Sequence, residues 1–289
     1  MLELYNKIFP KNSNWILEID SWKAWKIIWI SACTHWNERA WLYVMDYLLN
    51  TLDIKKRLKK WKLIFIAGNI KAIEKDIRFI DVDFNRIWWF EEKYKNTYEY
   101  KRALEIKPFL DKLDILLDIH STSLDSDPFF ITTSDYIEKD FLKYIKADYS
   151  IENIVWFLNW KVLSWYMWEQ KKWNFSFVIE AWSHHSQKTI DLSILNSLNL
   201  LKYFWYLDWE LEEQKEYKTY IVKECIKAKS MDIKFLYSDN PKSFDKIKVW
   251  EEIMLNWEEK VISDINWYTL MPSYPKYIWD EICYLMEKK

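Results

Sequence analysis

A chain of 289 residues with a formal net charge of −2 has room for one large α/β domain, or for one domain plus a small appendage. Its lysines are scattered among acids and leave no electrostatic footprint for nucleic acid, and nothing approaches a run of ~18 apolar residues or a signal-peptide core. A cytoplasmic protein with neither nucleic-acid nor membrane partners is therefore expected.

One imbalance governs how the elements read: 21 tryptophans accompany a single glycine, Gly68, where roughly 7% usage predicts about 20 glycines. With each tryptophan taken as glycine, the pattern becomes ordinary. Lys26 to Ala32 is a short apolar run and predicts a buried strand, followed by a loop and a helix from about Glu38 to Asn50. The basic run Lys55 to Lys60 reads as the solvated end of a helix. Leu63 to Ala67 predicts a second strand, and a helix from about Glu99 to Leu110 leads to a third strand, Leu113 to Ile119. Pro128 to Thr133 suggests a fourth strand, Asp135 to Ala147 a helix, Phe175 to Ile179 a strand and Thr189 to Phe204 a helix. Such alternation implies a mostly parallel sheet covered on both faces. Beyond about residue 212 short strand-like runs take over: Tyr217 to Lys227, Ile233 to Tyr237, Lys246 to Val249 and Glu281 to Met286. The expected organisation is a catalytic domain over 1–212 and a small β-rich domain over 213–289. Cys33, Cys225 and Cys283 are odd in number and far apart, which argues against a disulfide framework.

The tryptophans stand in glycine-like places: Trp36 inside Thr34-His35-Trp36-Asn37-Glu38, the pair Trp88-Trp89, and after asparagine at Trp160, Trp257 and Trp267. Asn-Gly is a turn dipeptide because both residues tolerate positive φ, whereas an indole there is strained. The expectation is that UGA encodes glycine in the source lineage and that these tryptophans occupy glycine codons. The alternative, a genuinely tryptophan-rich protein, needs another source for its turns. On the first view the 19% aromatic content is no sign of a stacking or carbohydrate surface.

Only four histidines occur, at 35, 120, 184 and 185. His35 and Glu38 follow the first predicted strand, His120 follows the third, and Glu180 follows the strand ending at Ile179. Open α/β sheets bind ligands beyond the carboxyl ends of their strands. Three strand ends therefore bring two imidazoles and two carboxylates to one rim. Two His and one Glu with an open position make a catalytic zinc set, and a further Glu can serve as base. Arg78 and Arg86 bracket a segment rich in acids, and they are two of only five arginines in a lysine-dominated chain. A guanidinium grips a carboxylate bidentately, as lysine cannot, although a surface salt bridge is the ordinary explanation of any one arginine.

These residues together resemble a family. Thr34-His35-Trp36-Asn37-Glu38, read as T-H-G-N-E, Arg78 to Arg86, Asp118 to Thr122, and Glu180-Ala181-Trp182, read as E-A-G, resemble in order the motifs of the succinylglutamate desuccinylase/aspartoacylase family, within the zinc carboxypeptidase-like superfamily. The resemblance covers about residues 24–190 and, more loosely, the C-terminal part. It implies a zinc-carboxypeptidase-like α/β fold with a mixed, mostly parallel sheet, and one Zn2+ held by His35, Glu38 and His120. Glu180 would be the general base that activates water at the metal, Arg78 would stabilise the oxyanion, and Asn85 and Arg86 would hold the substrate carboxylate. Asp118 would be either an outer partner of the site or a loop cap. The family's further arginine, which binds a side-chain carboxylate of the substrate, is missing before the glutamate; Lys171 or Lys172 is either its substitute or an exposed lysine pair, so an acidic substrate side chain is not implied, and His184 and His185 lie near Glu180. Indoles at 36 and 182 would crowd the turns beside a ligand and the base, so the chain as translated should fold poorly or bind zinc weakly. The function implied is release of an acyl group from an N-acyl amino acid. A carboxypeptidase acting on short or cell-wall peptides, and a non-catalytic binding protein that keeps the fold, are the alternatives.

Overall fold

The computed structural model describes the chain except residues 1, 10–13, 22–26, 33, 36, 59–61, 133–138, 160, 172–174, 205–206, 208–210, 212 and 214–215. In chain order the elements are α1 (Leu2–Ile8), β1 (Ile16–Asp20), β2 (Ile27–Ala32), α2 (Ala40–Asp46), α3 (Ile54–Arg57), β3 (Lys62–Ala67), α4 (Ile70–Lys75) and α5 (Tyr98–Leu110). There follow β4 (Ile115–Thr122), β5 (Phe129–Thr132), α6 (Lys139–Leu142), β6 (Tyr149–Glu152), α7 (Ile154–Phe157), α8 (Leu163–Lys171), β7 (Phe175–Ser183) and α9 (Gln187–Tyr203). The C-terminal part adds β8 (Lys218–Lys227), β9 (Ile233–Phe235), β10 (Lys246–Ile247), β11 (Glu252–Asn256), β12 (Glu259–Ile262), β13 (Trp267–Leu270) and β14 (Glu281–Lys288). No helix among the described residues is long and apolar enough to cross a membrane.

Among the described residues eleven strands form one mixed sheet in the order β1-β3-β2-β4-β7-β5-β6-β8-β14-β13-β10, and β12-β11-β9 form a second sheet. The centre is parallel: β2 pairs with both β3 and β4, and β4 pairs with β7. All eight residues of β4 are buried, as expected of a strand covered on both faces. Its odd-numbered Ile115, Leu117 and Ile119 join a core with α2 and α9, whereas Leu116 joins Ala103, Ile106 and Leu110 of α5 and Met167 of α8. This period-2 alternation puts Asp118 and His120 on the same face as Leu116. The order of the sheet reverses between β2 and β4, the crevice in which such folds take ligands.

Several predicted elements change on inspection. The third strand continues to Thr122 and the strand from Phe175 continues to Ser183, so His120 and Glu180 lie within strands rather than just past them. The reason is pairing: β5 runs back antiparallel to β7, setting Phe129 opposite Glu180, while His120 pairs with Glu180. Consequently Trp182 sits on a strand, not in a turn, with Lys188 Nζ 4.6 Å from its ring centre. The predicted helix over 135–147 is helical only at Lys139–Leu142 among the described residues. Beyond it the backbone is held by side chains of α9 instead: Asn196 bonds both polar groups of Lys146, and Asn199 donates to the Tyr144 carbonyl.

Candidate active site

His35 lies in the loop after β2, Glu38 just before α2, His120 near the end of β4 and Glu180 beside it on β7; all four are only 4–5% exposed. Their convergence follows from register. His120 and Glu180 are partners across a parallel pair, so their side chains leave the same face. Glu38 bridges the two imidazoles: His35 Nδ1 is 2.8 Å from Oε1 and His120 Nδ1 is 2.8 Å from Oε2. One ligand atom from each of His35, Glu38 and His120 lies within 4.8 Å of the others. Burial opposes charge on Glu38, yet the imidazoles outweigh it and hold its carboxyl well below the usual range.

The remaining ring nitrogens both meet aspartates. His35 Nε2 is 2.9 Å from Asp83 Oδ1. His120 Nε2 is 3.1 Å from Asp118 Oδ2, close enough for ionic attraction, although the alignment is poor for a hydrogen bond. Metal-bound histidines characteristically donate their second nitrogen to such a carboxylate, which fixes the tautomer. The donor set thus fits a divalent cation of the zinc type: two imidazoles and a carboxylate face one another, each imidazole backed by an aspartate. Burial works against a charge on His120, but Asp118 and Glu38 push its pKa well above the usual value. Asp83 is likewise held low against its burial by His35, Arg78 and Arg86. Asp118 also accepts from Thr34 Oγ1 at 3.4 Å, so it both faces the site and ties the β2 loop to β4.

Glu180 stands apart in chemistry. Its Oε2 is buried without a hydrogen-bond partner among the described residues. Burial first, helped by Glu38 and Asp118 and opposed by His120 and Arg78, raises its pKa to about 8. A carboxyl raised toward neutrality beside a candidate metal cluster has the character of a proton carrier.

The arginine segment splits into two uses. Arg78 reaches the cluster: its Nη1 donates to Glu38 Oε1 at 3.1 Å, and Nη2 lies 3.1 Å from His35 Nε2 and 3.5 Å from Asp83 Oδ2. Arg86 instead donates to Glu281 Oε2 at 3.3 Å, a residue that opens β14, and to the Asn85 carbonyl at 3.0 Å. Asn85 Oδ1 accepts from Leu163 N at the start of α8, leaving its amide nitrogen as the donor that remains. His184 sits between Asn37 Nδ2 at 3.0 Å and Ser121 Oγ at 2.8 Å, and burial lowers its pKa to about 4, whereas His185 is exposed. Lys172 and Trp36 lie outside the described residues, as does the side chain of Lys171. Sequence reasoning missed Asp83 as the partner of His35, and it missed Glu281. The alternation of Asp81 and Asp83 was a usable signal for the first; nothing marked the second among 44 acids.

Residues 25–158 match the succinylglutamate desuccinylase/aspartoacylase catalytic domain. Within curated proteins, a succinylglutamate desuccinylase of Pseudomonas putida (strain GB-1) is 34% identical over 80 residues, which is 28% of this chain and 24% of that protein. One from Pseudoalteromonas atlantica is 34% identical over 90 residues, 29% of this chain and 25% of its own length. The match thus spans about a quarter of these curated relatives. The fold agreement is far broader. A succinylglutamate desuccinylase structure from Vibrio parahaemolyticus superposes with a TM-score of 0.74 at 18% identity, covering 94% of this chain and 86% of that one. At these identities the likeness is one of fold.

Proposed function

We propose that the chain is a member of the succinylglutamate desuccinylase/aspartoacylase family and works as a zinc-dependent cytoplasmic deacylase, hydrolysing the amide bond of an N-acyl amino acid. The carrying observation is the buried His35–Glu38–His120 cluster with Glu180, whose Oε2 has no partner among the described residues, in register beside His120. Zinc held by those three side chains would supply a Lewis acid for the scissile carbonyl and acidify water there. Glu180 takes a proton from the attacking water and returns it to the departing amine. A divalent cation bound beside it would counter the burial that raises this carboxyl and favour the ionised form that accepts the proton. Arg78 donates to the carbonyl oxygen as negative charge gathers, a contribution of about 3 kcal/mol where such donors are removed. Asn85 and Arg86 grip the carboxylate of the amino-acid portion, which replaces Glu281 on the guanidinium. Residues 1–212 are the catalytic domain on this reading, and 213–289 the β-rich domain that supplies Glu281.

The test is release of free amino acid from a panel of N-acyl amino acids by the zinc-loaded chain, beside a panel of short peptides. Turnover of the acyl amino acids is expected, and Glu180→Gln should lower kcat by ~10²–10⁴-fold while zinc content is kept. Cleavage of peptides alone would assign a carboxypeptidase instead. No turnover of either, with zinc bound, would favour a binding protein.

We further propose that most tryptophans of the chain are glycines in the native protein. Trp15, Trp250, Trp257 and Trp279 have φ of 60°, 66°, 65° and 76°, in the left-handed region that glycine occupies without cost. Trp41, Trp88 and Trp168 bury indole N–H groups that have no hydrogen-bond partner among the described residues, although buried indoles usually find one. Trp267 behaves differently: it lies in β13 and its Nε1 donates to Asp264 at 3.2 Å. Peptide mass measurement on protein from the native source decides the matter, and tryptophan found at 250, 257 and 279 would refute it.

A further inference from the structure

Glu99 opens the first turn of α5 and is completely buried. Its Oε1 accepts from Ile80 N at 2.6 Å and Asn69 Nδ2 at 3.0 Å, and its Oε2 accepts from Asp81 N at 3.1 Å and Val82 N at 3.3 Å. Four donors on one carboxylate, three of them consecutive backbone amides, amount to a built cradle. The cradle has nothing to do with the metal cluster directly. It fastens the middle of the segment whose two ends carry Arg78 and Arg86.

The neighbouring acids divide the labour. Asp81 Oδ2 accepts from Tyr98 N at 2.7 Å, capping the start of α5, whereas Asp83 turns the other way to His35 and also accepts from Asn85 N at 2.8 Å. One helical turn beyond Glu99, buried Arg102 donates to the carbonyls of Gly68, Ala67 and Asn14. The inward face of α5 thus carries one buried anion for the amides of the arginine segment and one buried cation for carbonyls at the end of β3 and ahead of β1.

Resting on the deacylase reading, we propose that Glu99 is a positioning residue: it fixes Ile80–Val82 so that Arg78 is presented to the metal cluster and Arg86 to the substrate carboxylate. A buried carboxylate that loses its charge cannot serve four donors, because an amide offers one acceptor and sets two hydrogens against the backbone N–H groups.

The experiment uses the full chain with Glu99→Gln and Glu99→Asp. Amide hydrogen exchange at Ile80, Asp81 and Val82 should accelerate ~10-fold or more in Glu99→Gln, the factor for losing a charge-assisted bond, while Leu116 and Leu117 of β4 keep their protection. In the deacylase assay KM should rise by a larger factor than kcat falls, and Glu99→Asp should recover part of both losses. Unchanged exchange at 80–82 overturns the proposal. So does acceleration spread equally through β4, which would make Glu99 a general stabiliser. If the unaltered chain hydrolyses no N-acyl amino acid, the deacylase reading fails by itself, and exchange still decides whether Glu99 holds the segment.

Discussion

Asp83 Oδ1 lies 2.9 Å from Nε2 of His35 and Asp118 Oδ2 lies 3.1 Å from Nε2 of His120, the ring nitrogens that do not face Glu38. Replacing either by asparagine keeps the size and removes the charge. Zinc affinity, measured by competition with a chromophoric chelator, should fall ~10–100-fold for Asp83→Asn, the usual effect of removing such a partner. Asp118→Asn should have the smaller effect, because its contact with His120 is poorly aligned. Equal affinity in all three proteins would show that the imidazoles are oriented by packing alone. The residues that meet at the cluster were legible in the sequence because histidine is scarce here and each fell at the close of an apolar run. Asp83, Glu99 and Glu281 were not, since acids are abundant and their partners lie 48, 17–30 and 195 positions away. No local spacing encodes a contact of that length.

The strands of the parallel centre read correctly because strands covered on both faces are continuous apolar runs. Their ends did not, since polar residues such as Asp118, His120 and Glu180 remain in the ladder when a neighbouring strand supplies pairing. The predicted helix after β5 stops at Leu142 for a related reason: Asn196 and Asn199 of α9 satisfy the backbone that a longer helix would otherwise satisfy. Turns are where replacing these tryptophans by glycine should matter. In the C-terminal part Trp250, Trp257 and Trp279 are largely exposed and left-handed, so glycine there loses little packing and removes ~1–2 kcal/mol of strain per site, less the entropy glycine adds to the unfolded chain. Each change to glycine should raise the midpoint of denaturant unfolding at constant slope, and the triple change should be close to additive. A lower midpoint for all three would mean that the indoles contribute contacts of their own.

Across the whole molecule the main sheet does not stop where the composition changes. β6 pairs with β8, and β8 with β14, so the C-terminal part extends the same hydrogen-bonded ladder and returns Glu281 to Arg86. A chain cut after residue 212 would expose the edge of β6, an invitation to aggregation. Heating the full chain should give one cooperative transition, and the 1–212 fragment should be insoluble or show no sharp melting; a well-folded fragment would establish two independently stable parts. The left-handed Trp15 carries a different lesson, one about the gene. It is the first tryptophan of the chain and directly precedes β1. If its codon is UGA, a host with the ordinary genetic code reads that triplet as termination, releasing the nascent peptide before the first residue of the sheet has been added.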